Sequence, residues 1–97
     1  VFTKSEQEYC QKQKRPELHL AARFAAKEAI AKAFGTGIGK EISWLEMEII
    51  RKATGEPEAR LNGGAQEYAN GRGVEQVMVS LTHAKQYAAA NAVILGS

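Results

Sequence analysis

Apolar side chains recur at helical spacing between Pro16 and Phe34 and at looser two-residue spacing after Met47, so helices precede antiparallel strands along the chain. Thr3 and Glu6 have the capping-box spacing, in which each side chain satisfies an open N–H at a helix start, and this predicts a helix over 3–13. The basic run Lys12, Lys14, Arg15 closes it. Pro16 suits the opening of a second helix, which continues through good helix formers to Phe34, where Gly35 offers a left-handed stop. At about 100° per residue, Leu20, Phe24, Ile30, Ala31 and Phe34 share one face of that helix and should pack inward. Lys27 falls inside this sector and Arg23 at its edge; the plain expectation is that their stems lie on the core and their heads reach water. Glu28 and Lys32 occupy another face beside Ala21 and Ala25, whose small side chains allow close approach.

The run Gly35-Thr36-Gly37-Ile38-Gly39-Lys40 follows a helix rather than a strand, so neither a P-loop nor a Rossmann turn is indicated. Residues 42–52 carry β-branched side chains and the partial alternation Met47, Ile49, Arg51; Thr54-Gly55-Glu56-Pro57 then supplies a turn and 58–61 return as a hairpin. A short helix is expected over 65–69, ended by Asn70-Gly71-Arg72-Gly73. A last strand pair is expected over 76–82, alternating around Val77 and Val79, and 87–95, although the alanines from Ala88 onward also favour helix. These elements predict a single α+β domain over 1–97, with helices packed on one face of a small, mainly antiparallel sheet.

Composition narrows the function classes. With 44% apolar and 25% charged residues the chain is globular in type, and no apolar run approaches the roughly 20 residues of a membrane span. A single cysteine, Cys10, excludes an internal disulfide and a cysteine-based zinc cluster, and with no signal peptide in view it points to a reducing cytoplasm. Net charge is +2, too little for a dedicated nucleic-acid binder, and Trp44 and the tyrosines are too scattered for a base-stacking platform. The charge is uneven: residues 1–52 hold 10 basic and 7 acidic groups, residues 53–97 only 3 and 4. All 11 acidic residues are glutamates, so oxygen ligation of a metal by carboxylate falls to Glu.

Glu28 and Lys32, four residues apart, lie about 40° from each other around a helix axis. The plain reading is a helix ion pair worth about 0.2–0.5 kcal/mol. The functional reading is that Glu28 holds a hard cation while Lys32 neutralises phosphate charge, with Arg23 and Lys27 adding anion-binding capacity. His83 reads as a solvated or hydrogen-bonded turn residue, His19 as an ordinary helical one, and Cys10 as a buried small hydrophobe.

The stretch Arg23-Phe24-Ala25-Ala26-Lys27-Glu28-Ala29-Ile30-Ala31-Lys32-Ala33-Phe34-Gly35-Thr36-Gly37 closely resembles the F-x-x-K-E-A-x-x-K helix and glycine loop of the holo-acyl-carrier-protein synthases, the small bacterial 4'-phosphopantetheinyl transferases. The likeness extends to Phe2-Thr3, Glu6 and Tyr9, to Gly55-Glu56-Pro57, and to Val79-Ser80-Leu81-Thr82-His83, nearly the whole chain in the family's order. It implies transfer of phosphopantetheine from coenzyme A to a serine of apo acyl carrier protein, in fatty acid biosynthesis, with release of adenosine 3',5'-bisphosphate. It also implies magnesium as cofactor, with Glu28 as metal ligand and catalytic residue and Lys32 as catalytic residue on the pyrophosphate. Arg23 and His83 would hold a coenzyme phosphate, Gly55 and Pro57 would back the adenine, and Gly35 and Thr82 would complete the coenzyme-binding set.

The resemblance further implies a homotrimer with active sites between subunits, and Lys12, Lys14 and Arg15 could steer an acidic carrier protein. The family's opening G-[IV]-D motif, whose aspartate is another metal ligand, has no counterpart among these residues, so the domain is expected to lack its N-terminal strand. The rival expectation is a non-catalytic module that binds a nucleotide or an acidic protein, with Glu28 and Lys32 merely paired.

Overall fold

A computed structural model describes residues 1–35, 39, 42–84 and 87–96, and for 82–84, 87–89 and 91 the description extends to the backbone only. Thr3 and Glu6 form the expected box: Thr3 Oγ1 accepts from Glu6 N at 3.2 Å and Glu6 Oε1 from Thr3 N at 2.8 Å. They start α1, Lys4–Gln11, which stops at the Lys12 cap two residues short of the expected end. Helix α2 spans Pro16–Phe34 with proline in its first turn. Gly35 closes it at φ 82°, a left-handed conformation that a Cβ would strain, and its N–H donates to Lys32 O at 2.9 Å.

The strand expected from residue 42 begins only at Met47. Ser43 and Glu46 make a second capping box, which turns Trp44–Glu46 into a short 3-10 helix before β1, Met47–Arg51. This strand pairs antiparallel with β2, Pro57–Leu61, in the register Met47 to Leu61 and Arg51 to Pro57. Helix α3, Gly63–Gly71, is longer at both ends than the sequence suggests. Strands β3, Val74–Ala84, and β4, Tyr87–Gly96, form the last antiparallel pair, with Val77 opposite Ile94 and Ala84 opposite Tyr87. The alanine-rich end is therefore a strand, because pairing along β3 outweighs the helix propensity of its alanines. The α+β class holds, and the strands form two two-stranded sheets rather than one.

The core joins Ala26, Ile30 and Phe34 of α2 to Ile42, to Met47 and Ile49 of β1, and to Ala65 and Ala69 of α3. Val77, Val79, Ala92 and Ile94 of the second sheet pack against it. Two sequence expectations for α2 fail here. Lys27 and Arg23 do not reach water; both are buried in the inward sector, facing α1. Phe24 is displaced outward by them, is 39% exposed, and stacks on Trp44 at 4.8 Å between ring centroids. Leu20 is only half-buried.

Candidate active site

The face of α2 opposite its buried stripe meets β4 across an open cleft of about 610 Å³, lined by Glu28, Lys32, Ala25, Ala29, Ala33 and, from β4, Ala90 and Ala92. Helical spacing puts the two charges one turn apart and the three alanines alongside them. Both charged side chains are exposed, and among the described residues neither forms an ion pair or hydrogen bond, with the other or with a third group. The favoured helix ion pair is thus not made. Lys32 lies in the last turn of α2, where the helix dipole favours a cation, and Gly35 is bonded to its carbonyl.

The remaining sequence candidates fall elsewhere. Arg23 is 1% exposed and lies toward α1, away from Glu28. Its Nη1 donates to His19 O at 3.2 Å, its guanidinium carbon sits 4.8 Å from the Tyr9 ring centroid, and its buried Nε has no hydrogen-bond partner among the described residues. It lines a small cavity of about 150 Å³ with Ser5, Glu6, Tyr9 and Ile49. Pro57 lines a third cavity, of about 510 Å³, with Lys52, Glu56, Val77 and Val79. Gly55 is exposed in the β1–β2 turn at φ 95°, its carbonyl accepting from Arg51. Thr82 and His83 belong to β3 by backbone; their side chains, and Thr36 and Gly37 of the glycine run, lie outside the described residues.

Lys27 was expected to add surface anion-binding capacity, and the structure overturns this. Its ammonium is fully buried and donates to Glu6 Oε1 at 2.8 Å, to Val1 O at 2.8 Å and to Trp44 O at 2.9 Å, which uses all three of its donors. Sequence reasoning saw Glu6 only as a cap; the signal for its second role is an ionisable residue in the inward sector of α2, which needs a counter-ion. Burial pushes the Cys10 thiol up, against a smaller opposing pull from Arg23, which keeps it an un-ionised hydrophobe.

Among the described residues no group of three or more His, Cys or Glu gathers as a ready metal cage. Glu28 nevertheless suits one hard cation: its carboxylate is open to the cleft and unneutralised, and magnesium characteristically takes one or two carboxylates together with water and phosphate oxygens. No helix among the described residues is long and apolar enough to cross a membrane.

The chain is similar to known proteins in sequence and in fold. Residues 1–92 match the model of the 4'-phosphopantetheinyl transferase superfamily. A holo-[acyl-carrier-protein] synthase of Ruminiclostridium cellulolyticum is 50% identical over 95 residues, covering 97% of this chain and 71% of that protein. The crystal structure of the Neisseria meningitidis holo-[acyl-carrier-protein] synthase superposes with a TM-score of 0.89 at 32% identity, over 98% of this chain and 76% of that one. A Bacillus anthracis holo-(acyl-carrier-protein) synthase, solved in complex with CoA (3',5'-ADP), gives 0.82 at 34% identity, over 100% and 77%.

Proposed function

The chain belongs to the 4'-phosphopantetheinyl transferase superfamily, and from that premise we propose that its transfer site is built on Glu28 and Lys32. The activity is that of a holo-acyl-carrier-protein synthase: phosphopantetheine passes from coenzyme A to a serine of apo acyl carrier protein, and adenosine 3',5'-bisphosphate leaves. The serine oxygen bonds to the phosphorus that carries pantetheine, the bond from that phosphorus to the bridging oxygen breaks, and the serine proton departs. The observation that carries the siting is that Glu28 and Lys32 face one open, alanine-lined cleft with neither charge used inside the described chain.

In this reading Glu28 would hold magnesium, which when bound would supply polarisation of the phosphate oxygens. Glu28 also orients the serine hydroxyl and receives its proton, directly or through water. Lys32 donates to the diphosphate and balances the charge that grows on the leaving bisphosphate. The negative end of α2 would by itself repel a diphosphate, so a cation in its last turn is what makes this end of the helix usable. Ala25, Ala29 and Ala33 let the diphosphate lie close to the helix.

Arg23, Gly35, Gly55, Pro57, Thr82 and His83 complete the proposed coenzyme-binding set, with Arg23 and His83 on phosphate and Gly55 and Pro57 against adenine. Arg23 and Pro57 line cavities other than the Glu28 cleft, so this set requires a site completed between copies of the chain, as in a homotrimer. Met78 and Val93, directly paired and half-exposed on the second sheet, offer an apolar surface for that contact. A single domain over 1–97 is supported by one core shared by α2, α3 and both sheets, with α1 packed against α2 and β1. The free thiol of Cys10 is in keeping with the cytoplasm, and we place the modified carrier protein in fatty acid biosynthesis.

The test is incubation with coenzyme A, magnesium and apo acyl carrier protein, followed by intact mass of the carrier. One added phosphopantetheine, lost when the metal is chelated, is the expected result. Nucleotide or carrier binding without mass addition would favour a non-catalytic module.

A further inference from the structure

Lys27 and Glu28 are neighbours in α2 that face about 100° apart, one into the buried anchor and the other into the cleft. The anchor is unusually complete. Besides the three acceptors of the Lys27 ammonium, the Glu6 carboxylate accepts from Thr3 N and from Ile49 N, each at 2.8 Å, so every charge in it is met by directional bonds. Three segments bond this one position of α2 directly, the chain at Val1, helix α1 and the 3-10 helix, and strand β1 is tied to it through Glu6.

Apolar packing alone does not require this arrangement. Ala22, Ala26, Ile30 and Phe34 already hold α2 against the core, and an uncharged side chain of similar length could fill the space of Lys27 without the cost of dehydrating two ions. What small alanines fix poorly is the roll of a helix about its own axis, and hydrogen bonds to a buried ammonium fix it sharply. At the outer radius of a helix, about 5–6 Å, a roll of about 10° moves a side-chain atom by about 1 Å. A displacement of about 1 Å at reacting groups can cost on the order of 100-fold in rate.

We propose that Lys27, through its buried bond to Glu6, is a positioning residue for the transfer, fixing the roll of α2 and thereby the places of Glu28 and Lys32. This rests on the reading that Glu28 and Lys32 form the site. It separates two properties that a purely structural ion pair would keep together, because stability depends on satisfying the charges whereas turnover depends on keeping them.

The test compares Lys27→Met, Glu6→Gln and the double variant with the wild type, each assayed for transfer well below its melting temperature. Lys27→Met alone strands the Glu6 carboxylate and should lower Tm. The double variant removes both charges and should recover most of that loss. Its kcat should nevertheless remain about 30-fold or more below wild type, with KM for coenzyme A and for carrier protein within about threefold. A kcat that returns together with Tm overturns the proposal. Should the methionine variants not fold, Glu6→Gln decides: it keeps an oxygen for Lys27 but not the charge, and an unchanged kcat there overturns the proposal. Glu28→Gln separates the two levels of the argument. If it retains wild-type turnover, the reading of the site fails; if it is inactive while the double variant is fully active, only the role of Lys27 fails.

Discussion

Glu28 and Lys32 stand one turn apart on the same face of α2, both exposed, and do not form the ion pair their spacing favours. Because the pair contributes no bond to the fold, Glu28→Gln should leave stability within about 0.5 kcal/mol of wild type. Turnover should fall by about 100-fold or more, as expected when a preorganised charge is removed from a transition state. Urea unfolding and single-turnover transfer on the same preparation check both halves. Comparable small changes in both would mean that Glu28 is only a surface charge.

Lys32→Met retains the length of the side chain and removes the ammonium. A hydrogen bond to a charged group is worth about 1.5–3 kcal/mol, so kcat/KM for coenzyme A should drop about 10- to 100-fold. The affinity for apo carrier protein should change little, because the lysine is assigned to the diphosphate. Initial rates at varied coenzyme A, with calorimetric titration of carrier protein, distinguish the two.

Much of the fold could be read from spacing. Pro16, the helical run and Gly35 delimit α2 to the residue, and the Thr3–Glu6 box starts α1 where expected. The roles proposed for Glu28 and Lys32 were not legible from spacing, which reads them as a helix ion pair; they came from the family resemblance, and the structure adds that both side chains line one alanine-rich cleft without pairing. Lys27 was misread because periodicity ranks side chains by hydrophobicity and cannot see a counter-ion 21 positions away on another helix. Once Lys27 and Arg23 take the inward sector, Phe24 must turn outward, so one long-range ion pair misplaces an aromatic ring as well. The 3-10 helix was missed although Ser43-x-x-Glu46 has the same cap spacing as Thr3-x-x-Glu6; the β-branched residues around it drew attention to strand instead.

The Phe24–Trp44 stack lies on the exposed side of this arrangement, with ring planes 20° apart. Trp44 is the only tryptophan, so its emission reports on the contact alone. Phe24→Ala should shift that emission to the red as the indole gains water. Loss of an aromatic pair costs about 0.5–1.5 kcal/mol beyond the buried area, so chemical denaturation should show a fall of about 1 kcal/mol or somewhat more. An unshifted spectrum would mean that the two rings do not stack in solution.

Glu46 joins the 3-10 helix to α3, its Oε2 accepting from Gly64 N at 2.8 Å and its Oε1 from Ser43 N at 3.2 Å. The Gly64 N–H, followed by that of Ser43, holds its carboxyl below the ordinary carboxylate value. A lowered folded-state pKa means that the ionised side chain stabilises the fold. This stabilisation is complete above the unfolded-state pKa of about 4.3 and is lost as pH falls through the lower folded-state value. Glu46→Gln should therefore lower the urea midpoint at pH 7. The difference from wild type should shrink steadily below about pH 4.3. A midpoint difference that stays constant from neutral pH to below the carboxylate range would show that packing, rather than ionisation, carries the contribution of Glu46.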